Sequence, residues 1–311
     1  MSDQPAFESM PVEKPVYEPV HFRIGGVRYL NAVPLEWRLE EIAAGQNATV
    51  SVEKDVPSVL ARKLVAGEYD AAIIPVVEAM RHPELVQVSD ACIASEGVVA
   101  SIRLLCLKPV TEVETVGLDE NSRSSAAMVG VCLRERFKRN PQEVPFCWEE
   151  MDKPDFYREA GCRKLAEALR AKGLDAVLMI GDDALVLPRT MPGFASVMDM
   201  GQCWTQWIGL PFVYASWFAR PGADGERLSR IFNECRRAGQ VEMDLLCIHE
   251  AMKRRLPIDM CHDYLTRKLR YRLGGRERRG VEVFCKMTQK YGLVPLGSDI
   301  IFEANRRKFA E

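Results

Sequence analysis

One short phrase occurs twice in this chain, about a hundred residues apart, and it limits the fold more than any other feature. Ala66-Gly67-Glu68-Tyr69-Asp70-Ala71 runs into the apolar Ala72-Ile73-Ile74, and Ala171-Lys172-Gly173-Leu174-Asp175-Ala176 runs into Val177-Leu178-Met179-Ile180. Each copy reads as the end of a helix stopped by glycine, an aspartate, and a run suited to a parallel strand buried on both faces. A turn into another helix follows at Glu78 or Ala184. Two similar lobes explain the echo; a chance match of a common α/β grammar explains it too.

The surrounding pattern is α/β from residue 21 onward. Phe22-Arg23-Ile24 reads as a strand broken at Gly25-Gly26, and Val50-Ser51-Val52 as a second. Val56, Val59, Leu60 and Leu64 lie on one face of the helix between that strand and the first copy. Leu104 to Leu107, leading to Lys108-Pro109, fits a first crossing between lobes, and Leu210 to Ala215 fits the return. Beyond it the chain becomes helical, with Leu228, Ile231, Phe232 and Cys235 on one face and the same style from Val241 to Lys253. The expected division is a proline-broken leader over 1–20, a discontinuous first lobe over 21–107 and 214–311, and a second lobe over 108–213. A ligand of such a fold lies in the cleft, at the carboxyl ends of strands and the amino ends of helices.

Charge narrows the partner classes. Lysine and arginine total 42 against 44 acidic residues in 311, so no field of either sign favours nucleic acid or an anionic membrane. No window approaches a membrane span, and the start of the chain lacks an export pattern, so a cytoplasmic protein is expected. The ten cysteines have no framework spacing and read as buried reduced thiols. Leu265, Leu269 and Leu273 thread the basic run Arg267 to Arg279 at helical spacing, predicting a solvated amphipathic helix, and Trp204, Trp207, Phe212, Tyr214 and Trp217 read as core.

Familiar catalytic templates are absent. His249-Glu250 begins like a zinc-protease helix, but Lys253 stands where the second imidazole belongs. There is no G-x-S-x-G, no P-loop and no G-x-G-x-x-G. What remains are polar clusters at strand ends. Ser122 to Ser125 precede a helix, where Ser124 and Ser125 either hold a carboxylate or cap the helix. Ser95 to Ser101 contain Gly97 and form either a ligand loop or an ordinary turn. Gly181 and Asp182 open a helix, and Asn31 follows the first strand, as a substrate contact or a turn residue.

Taken in order, Tyr29-Leu30-Asn31-Ala32, Gly67-Glu68-Tyr69-Asp70, Ser95 to Ser101, Ser122 to Ser125, Ile180-Gly181-Asp182 and Trp204 through Gly209-Leu210-Pro211-Phe212-Val213 resemble the chorismate dehydratases of the futalosine route to menaquinone, over roughly residues 22–310. The resemblance implies a two-lobed type II periplasmic-binding-protein fold at work in the cytoplasm. The implied reaction turns chorismate into 3-(1-carboxyvinyloxy)benzoate and water, with no metal or organic cofactor. It places Asn31 at the active-site asparagine, and Gly97, Ser101, Ser124, Ser125 and Gly181, with neighbouring Asp182, in substrate-contacting loops. Cys203 and Ile208 depart from the pattern where more polar residues are expected. A solute receptor of the same fold and the sister enzyme that makes 1,4-dihydroxy-6-naphthoate are the alternatives.

Overall fold

The computed structural model describes residues 18–151, 158–298 and 300. All but the last three residues of the expected leader therefore lie outside it. The chain opens with β1 (Val20–Val27), a 3-10 turn (Leu30–Ala32), α1 (Val33–Glu36), α2 (Leu39–Gly45), β2 (Ala48–Asp55), α3 (Pro57–Val65), β3 (Ala71–Pro75), α4 (Val76–Arg81) and β4 (Val86–Ser95). It then forms β5 (Ile102–Cys106), β6 (Thr115–Asp119), α5 (Arg123–Glu135), β7 (Gln142–Phe146), α6 (Glu159–Ala171), β8 (Ala176–Ile180), α7 (Gly181–Leu185), β9 (Ser196–Asp199) and α8 (Met200–Ile208). The return comprises β10 (Phe212–Ala219), α9 (Gly225–Val241), α10 (Met243–Arg254), α11 (Ile258–Asp263), a π turn (Tyr264–Lys268), β11 (Leu269–Arg272) and α12 (Gly275–Lys290).

These strands make two mixed sheets, ordered β11-β4-β10-β3-β1-β2 and β7-β6-β8-β5-β9. In the first, β2, β1 and β3 run parallel and β10 pairs antiparallel with β3. In the second, β7, β6 and β8 run parallel and β5 pairs antiparallel with β8. The two halves thus share one plan, and the repeated phrase marks equivalent places in it. Gly67 and Gly173 take left-handed φ values of 76° and 74°, which closes α3 and α6 as an L side chain would not.

The repeated aspartates explain why the phrase recurs. Asp70 donates its N–H to the Arg23 carbonyl at 2.8 Å and accepts at its own carbonyl from Arg220 N–H at 3.1 Å. Its carboxylate takes the Arg23 N–H at 2.8 Å and the Arg220 guanidinium at 2.7 Å. Asp175 repeats this with the Thr115 carbonyl at 3.0 Å and Leu107 N–H at 2.7 Å, while its carboxylate takes Glu114 N–H at 2.9 Å and Lys108 at 2.7 Å. Each aspartate pins its parallel strands to the antiparallel strand, β10 or β5, that follows a crossing from the other lobe. Burial opposes ionisation at Asp70, yet Arg23 and Arg220 together hold its carboxyl below the ordinary value.

Crossings fall a few residues from the expected places. Residues 102–106 hydrogen-bond to β8 and β9, so the chain leaves the first sheet between Ser95 and Ile102, earlier than the 107/108 boundary, and returns before Phe212. The apolar run Leu104 to Leu107 does not mark a connector: Leu104 and Leu105 are fully buried within the second sheet. The helix expected through Leu269 and Leu273 is instead β11, because Leu269-Arg270-Tyr271-Arg272 alternates buried and exposed and so fits the open edge of β4.

The core follows from the apolar runs. Ile73, Ile74, Val77, Val177 and Leu178 are fully buried, and Trp217 stacks on Phe232 at 3.8 Å. Trp204, Phe212 and Phe284 meet edge to face. All ten cysteines are free thiols, nine of them buried.

Replacing Asp70 by Ala should cost about 1–3 kcal/mol, the penalty of leaving the Arg23 N–H without its acceptor. Urea unfolding should show a lower midpoint at unchanged slope, and an unmoved midpoint would remove the aspartate from this role.

Candidate functional site

Between the lobes lies a cavity of about 50 Å3, walled by residues from β1 and its following turn, the β4–β5 crossing, and the starts of α5 and α7. Asn31, Ser101, Ser124, Ser125 and Gly181 all line it. Tyr29, Ser122 and Tyr214 complete its polar and aromatic wall, Ile180 belongs to its apolar part, and none of its lining residues carries a formal charge. These groups lie at or just beyond the carboxyl ends of β1, β6 and β8 because every parallel strand of both sheets hands over to its next element there.

The polar groups are held in a definite way. Ser122 occupies the N-cap position of α5 but its side chain makes no cap bond, and Ser124 Oγ instead accepts Val77 N–H at 3.3 Å across the lobes. The α5 amino end, with the positive end of its dipole, therefore meets the cavity without a side-chain cap. Tyr264, on the π turn, donates its hydroxyl to Ser101 Oγ at 2.7 Å. With its oxygen so engaged, the Ser101 hydroxyl keeps its own proton to give. Burial pushes the Tyr264 pKa up, only partly offset by Ser101, so this phenol stays neutral. Tyr214 shares a 2.9 Å hydrogen bond with Ser95 and is likewise kept neutral by burial. Asn31 Oδ1 is shut away from solvent with no hydrogen-bond partner among the described residues.

Gly181 is required by contact as well as conformation. Its φ is 74°, its N–H donates to the Ser101 carbonyl at 3.0 Å, and a Cβ there would lie 2.8 Å from the Tyr29 ring.

Two expected contacts are placed elsewhere. Gly97 N–H donates to Thr205 Oγ1 at 2.8 Å, so this part of the crossing loop faces α8 rather than the cavity. Asp182 accepts Leu30 N–H at 3.0 Å and pairs with Arg254, which fastens the second lobe to the first. Cys203 and Ile208 do not line the cavity either; Cys203 is buried on α8, where Arg136 donates to its carbonyl.

Several residues escaped sequence reasoning. Tyr264 lies far along the chain from Ser101, and nothing in its local pattern signals the contact. Asp199 accepts the Val99 and Gln202 N–H groups at Oδ1, at 3.0 and 2.9 Å, and the Ala100 N–H at Oδ2, at 2.7 Å, so it holds the first crossing while capping α8. Its place at a strand-to-helix boundary was the available signal. Tyr29 and Tyr214 lay inside segments already singled out.

A wider chamber of about 420 Å3 adjoins the cavity, sharing Tyr29 and Ile180 as its wall. Arg28 and Glu149 close across it at 3.2 Å, and Arg28 lies over the Tyr29 ring, whose pKa burial pushes up to about 12. Asp119 borders the same chamber; burial raises its pKa to about 6, against the Asn121 N–H that favours its charged form.

A family model described as menaquinone biosynthesis matches residues 22–290. A chorismate dehydratase of Thermus thermophilus is 27% identical over 283 residues, covering 85% of this chain and 93% of that protein. Among solved structures, a protein of Archaeoglobus fulgidus superposes with a TM-score of 0.68 at 13% identity, over 88% of this chain and 98% of its own. The periplasmic aliphatic sulphonate binding protein of Escherichia coli superposes at 0.60 and 15% identity, over 91% and 96%. The fold is therefore that of the periplasmic binding proteins, as the resemblance implied. No helix among the described residues is long and apolar enough to cross a membrane.

Because Asp119 holds its proton to about pH 6 when folded, against 3.8 ordinarily, stability should fall as pH rises through that window. Asp119→Asn should flatten this dependence by roughly 2–3 kcal/mol, read as thermal unfolding from pH 4 to 8. Parallel profiles for the two proteins would show that Asp119 is not the group responsible.

Proposed function

The chain belongs to the menaquinone biosynthesis family, and from that premise we propose that it is a chorismate dehydratase, a hydro-lyase of the cytoplasm that converts chorismate into 3-(1-carboxyvinyloxy)benzoate and water. The observation that carries the reading is the uncharged cavity itself, where hydroxyls and an amide converge and no side chain is ionised to act as base. Such a site suits a substrate that brings its own base.

In the proposed reaction the enolpyruvyl carboxylate takes the proton from the ring carbon bearing the ether. The electron pair left behind spreads through the ring double bond onto the ring carboxylate. The carbon–oxygen bond to the ring hydroxyl then breaks, and hydroxide leaves with the captured proton as water. Aromatisation makes the whole process downhill, so the protein need only lower the barrier to proton removal.

Its residues do this by placement and by fixed dipoles. The α5 amino end and the hydroxyls of Ser124, Ser125 and Ser101 clamp the ring carboxylate, where negative charge builds. Asn31 holds the enolpyruvyl carboxylate through its amide N–H, while its unpartnered Oδ1 meets the ring hydroxyl; an amide does both without changing charge. Room for only a few waters in the closed cavity means that the ring acid enters while the lobes are parted.

Purified protein mixed with chorismate and no added metal should yield a product lighter by one water with benzoate absorbance. Asn31→Ala should lower kcat/KM by roughly 10²-fold or more, and Asn31→Asp should do no better, since it sets a charge against the substrate carboxylate. Near-normal turnover in both variants removes Asn31 from the mechanism; tight binding of chorismate without turnover by the wild type favours a receptor.

A further inference from the structure

The turn that carries Asn31 depends on the opposite lobe for its start. Up to Arg28 the chain is fixed by its own lobe: Val27 N–H donates to Glu36 Oε1 at 2.9 Å, and Arg28 N–H donates to the Asp55 carbonyl at 3.1 Å. The 3-10 turn Leu30–Ala32 then begins, with Asn31 at its centre. Tyr29 stands at its N-cap position but makes no side-chain cap bond, and Ala32 N–H closes the turn on the Tyr29 carbonyl at 3.2 Å. So short a turn has little support of its own, and its first N–H has no acceptor inside it. That donor, Leu30 N–H, is taken at 3.0 Å by Asp182 Oδ1, which comes from α7 of the second lobe.

The other oxygen of the same carboxylate accepts from Arg254, at the end of α10 in the first lobe. Arg254 is itself set by that lobe, since its Nε donates to the buried Glu250 at 2.9 Å and its Nη2 to the Arg28 carbonyl at 3.1 Å. Beside Asp182, Gly181 packs so tightly on the Tyr29 ring that a Cβ there would lie 2.8 Å from it. Residues 181 and 182 thus grip residues 29 and 30, and both contacts cross the cleft.

We propose that Asp182 is a positioning residue that caps the Asn31 turn from the opposite lobe, so that closure of the lobes sets the asparagine in place. The catalytic consequence rests on the part given to Asn31 in the proposed reaction. Parted lobes leave Leu30 N–H to water and the turn without its cap; closing over a ligand supplies the cap and fixes the amide together. Arg254, oriented by Glu250 before closure, gives the arriving carboxylate a charge to meet. Substrate enclosure and assembly of the site become one event.

Hydrogen exchange of the full chain, read by mass spectrometry, tests the cap without chorismate. Asp182→Ala should speed exchange of residues 28–33 by roughly tenfold and leave β3 and β8 unchanged. Asp182→Asn keeps an acceptor for Leu30 N–H while losing the charge that Arg254 meets, and should exchange near the wild-type rate. With chorismate, Asp182→Ala should lower kcat by roughly tenfold, and Asp182→Asn should recover most of kcat while KM stays raised. Added to Asn31→Ala, Asp182→Ala should cause no further loss of kcat, because a residue acting through Asn31 then has nothing to position; a general loosening of the fold would slow both backgrounds alike. Wild-type exchange at residues 28–33 in Asp182→Ala overturns the proposal, and so does an equal slowing with and without the Asn31 side chain. A wild type that binds chorismate without turnover removes the enzymatic reading alone, since the exchange rates still decide whether Asp182 holds the turn.

Discussion

The architecture depends on two carboxylates at the seams between lobes, Asp70 buried and Asp175 partly so. Where the chain crosses between lobes, each parallel set ends against an antiparallel strand that follows a crossing. Asp70 and Asp175 perform that termination with the same set of bonds: backbone to both neighbours, carboxylate to one neighbour's N–H and to a cation beyond the incoming strand. An aspartate is suited to this because it accepts several donors at once in little space. The crossings bring the carboxyl ends of both parallel sets to one cleft, so the placement of the cavity is a consequence of the seams.

Electrostatics inside the cleft follow a second rule, the separation of ion pairs from the small cavity. The ion pairs of Arg28 with Glu149 and Arg254 with Asp182 stand in or beside the wider chamber, whereas the small cavity has only neutral donors and acceptors. Burial keeps Tyr214 and Tyr264 protonated, which preserves them as hydrogen-bond partners rather than bases. Fixed neutral dipoles of this kind can stabilise a nearby negative charge with little reorganisation.

Much of this was legible in the chain because it is written locally. The glycine stops, the aspartates and the buried runs of β3 and β8 are short-range signals, and they located both halves of the fold. Asn31, Ser101, Ser124, Ser125 and Gly181 stood at or near strand ends in segments that the resemblance singled out, and the structure brings all five to one cavity. The first crossing was misplaced because a buried strand such as β5 and an apolar connector read alike, and β11 was taken for helix because Leu265, Leu269 and Leu273 fit a helical period as well as Leu269 and Tyr271 fit an alternating one. Asp182 and Gly97 stood in loops beside the cavity but do not line it: Asp182 borders the adjoining chamber, held by Leu30, and Gly97 is held by Thr205, partners that come from elsewhere in the chain. Tyr264 escaped for the same reason.

Asp199 gives the connection between lobes a particular mechanical character. Its single carboxylate grips the outgoing segment at Val99 and Ala100 and the first turn of the helix that leads back. Two connectors tied at one point bend as a single leaf instead of twisting independently. Any displacement of the outgoing segment would therefore carry the first turn of α8 along with it.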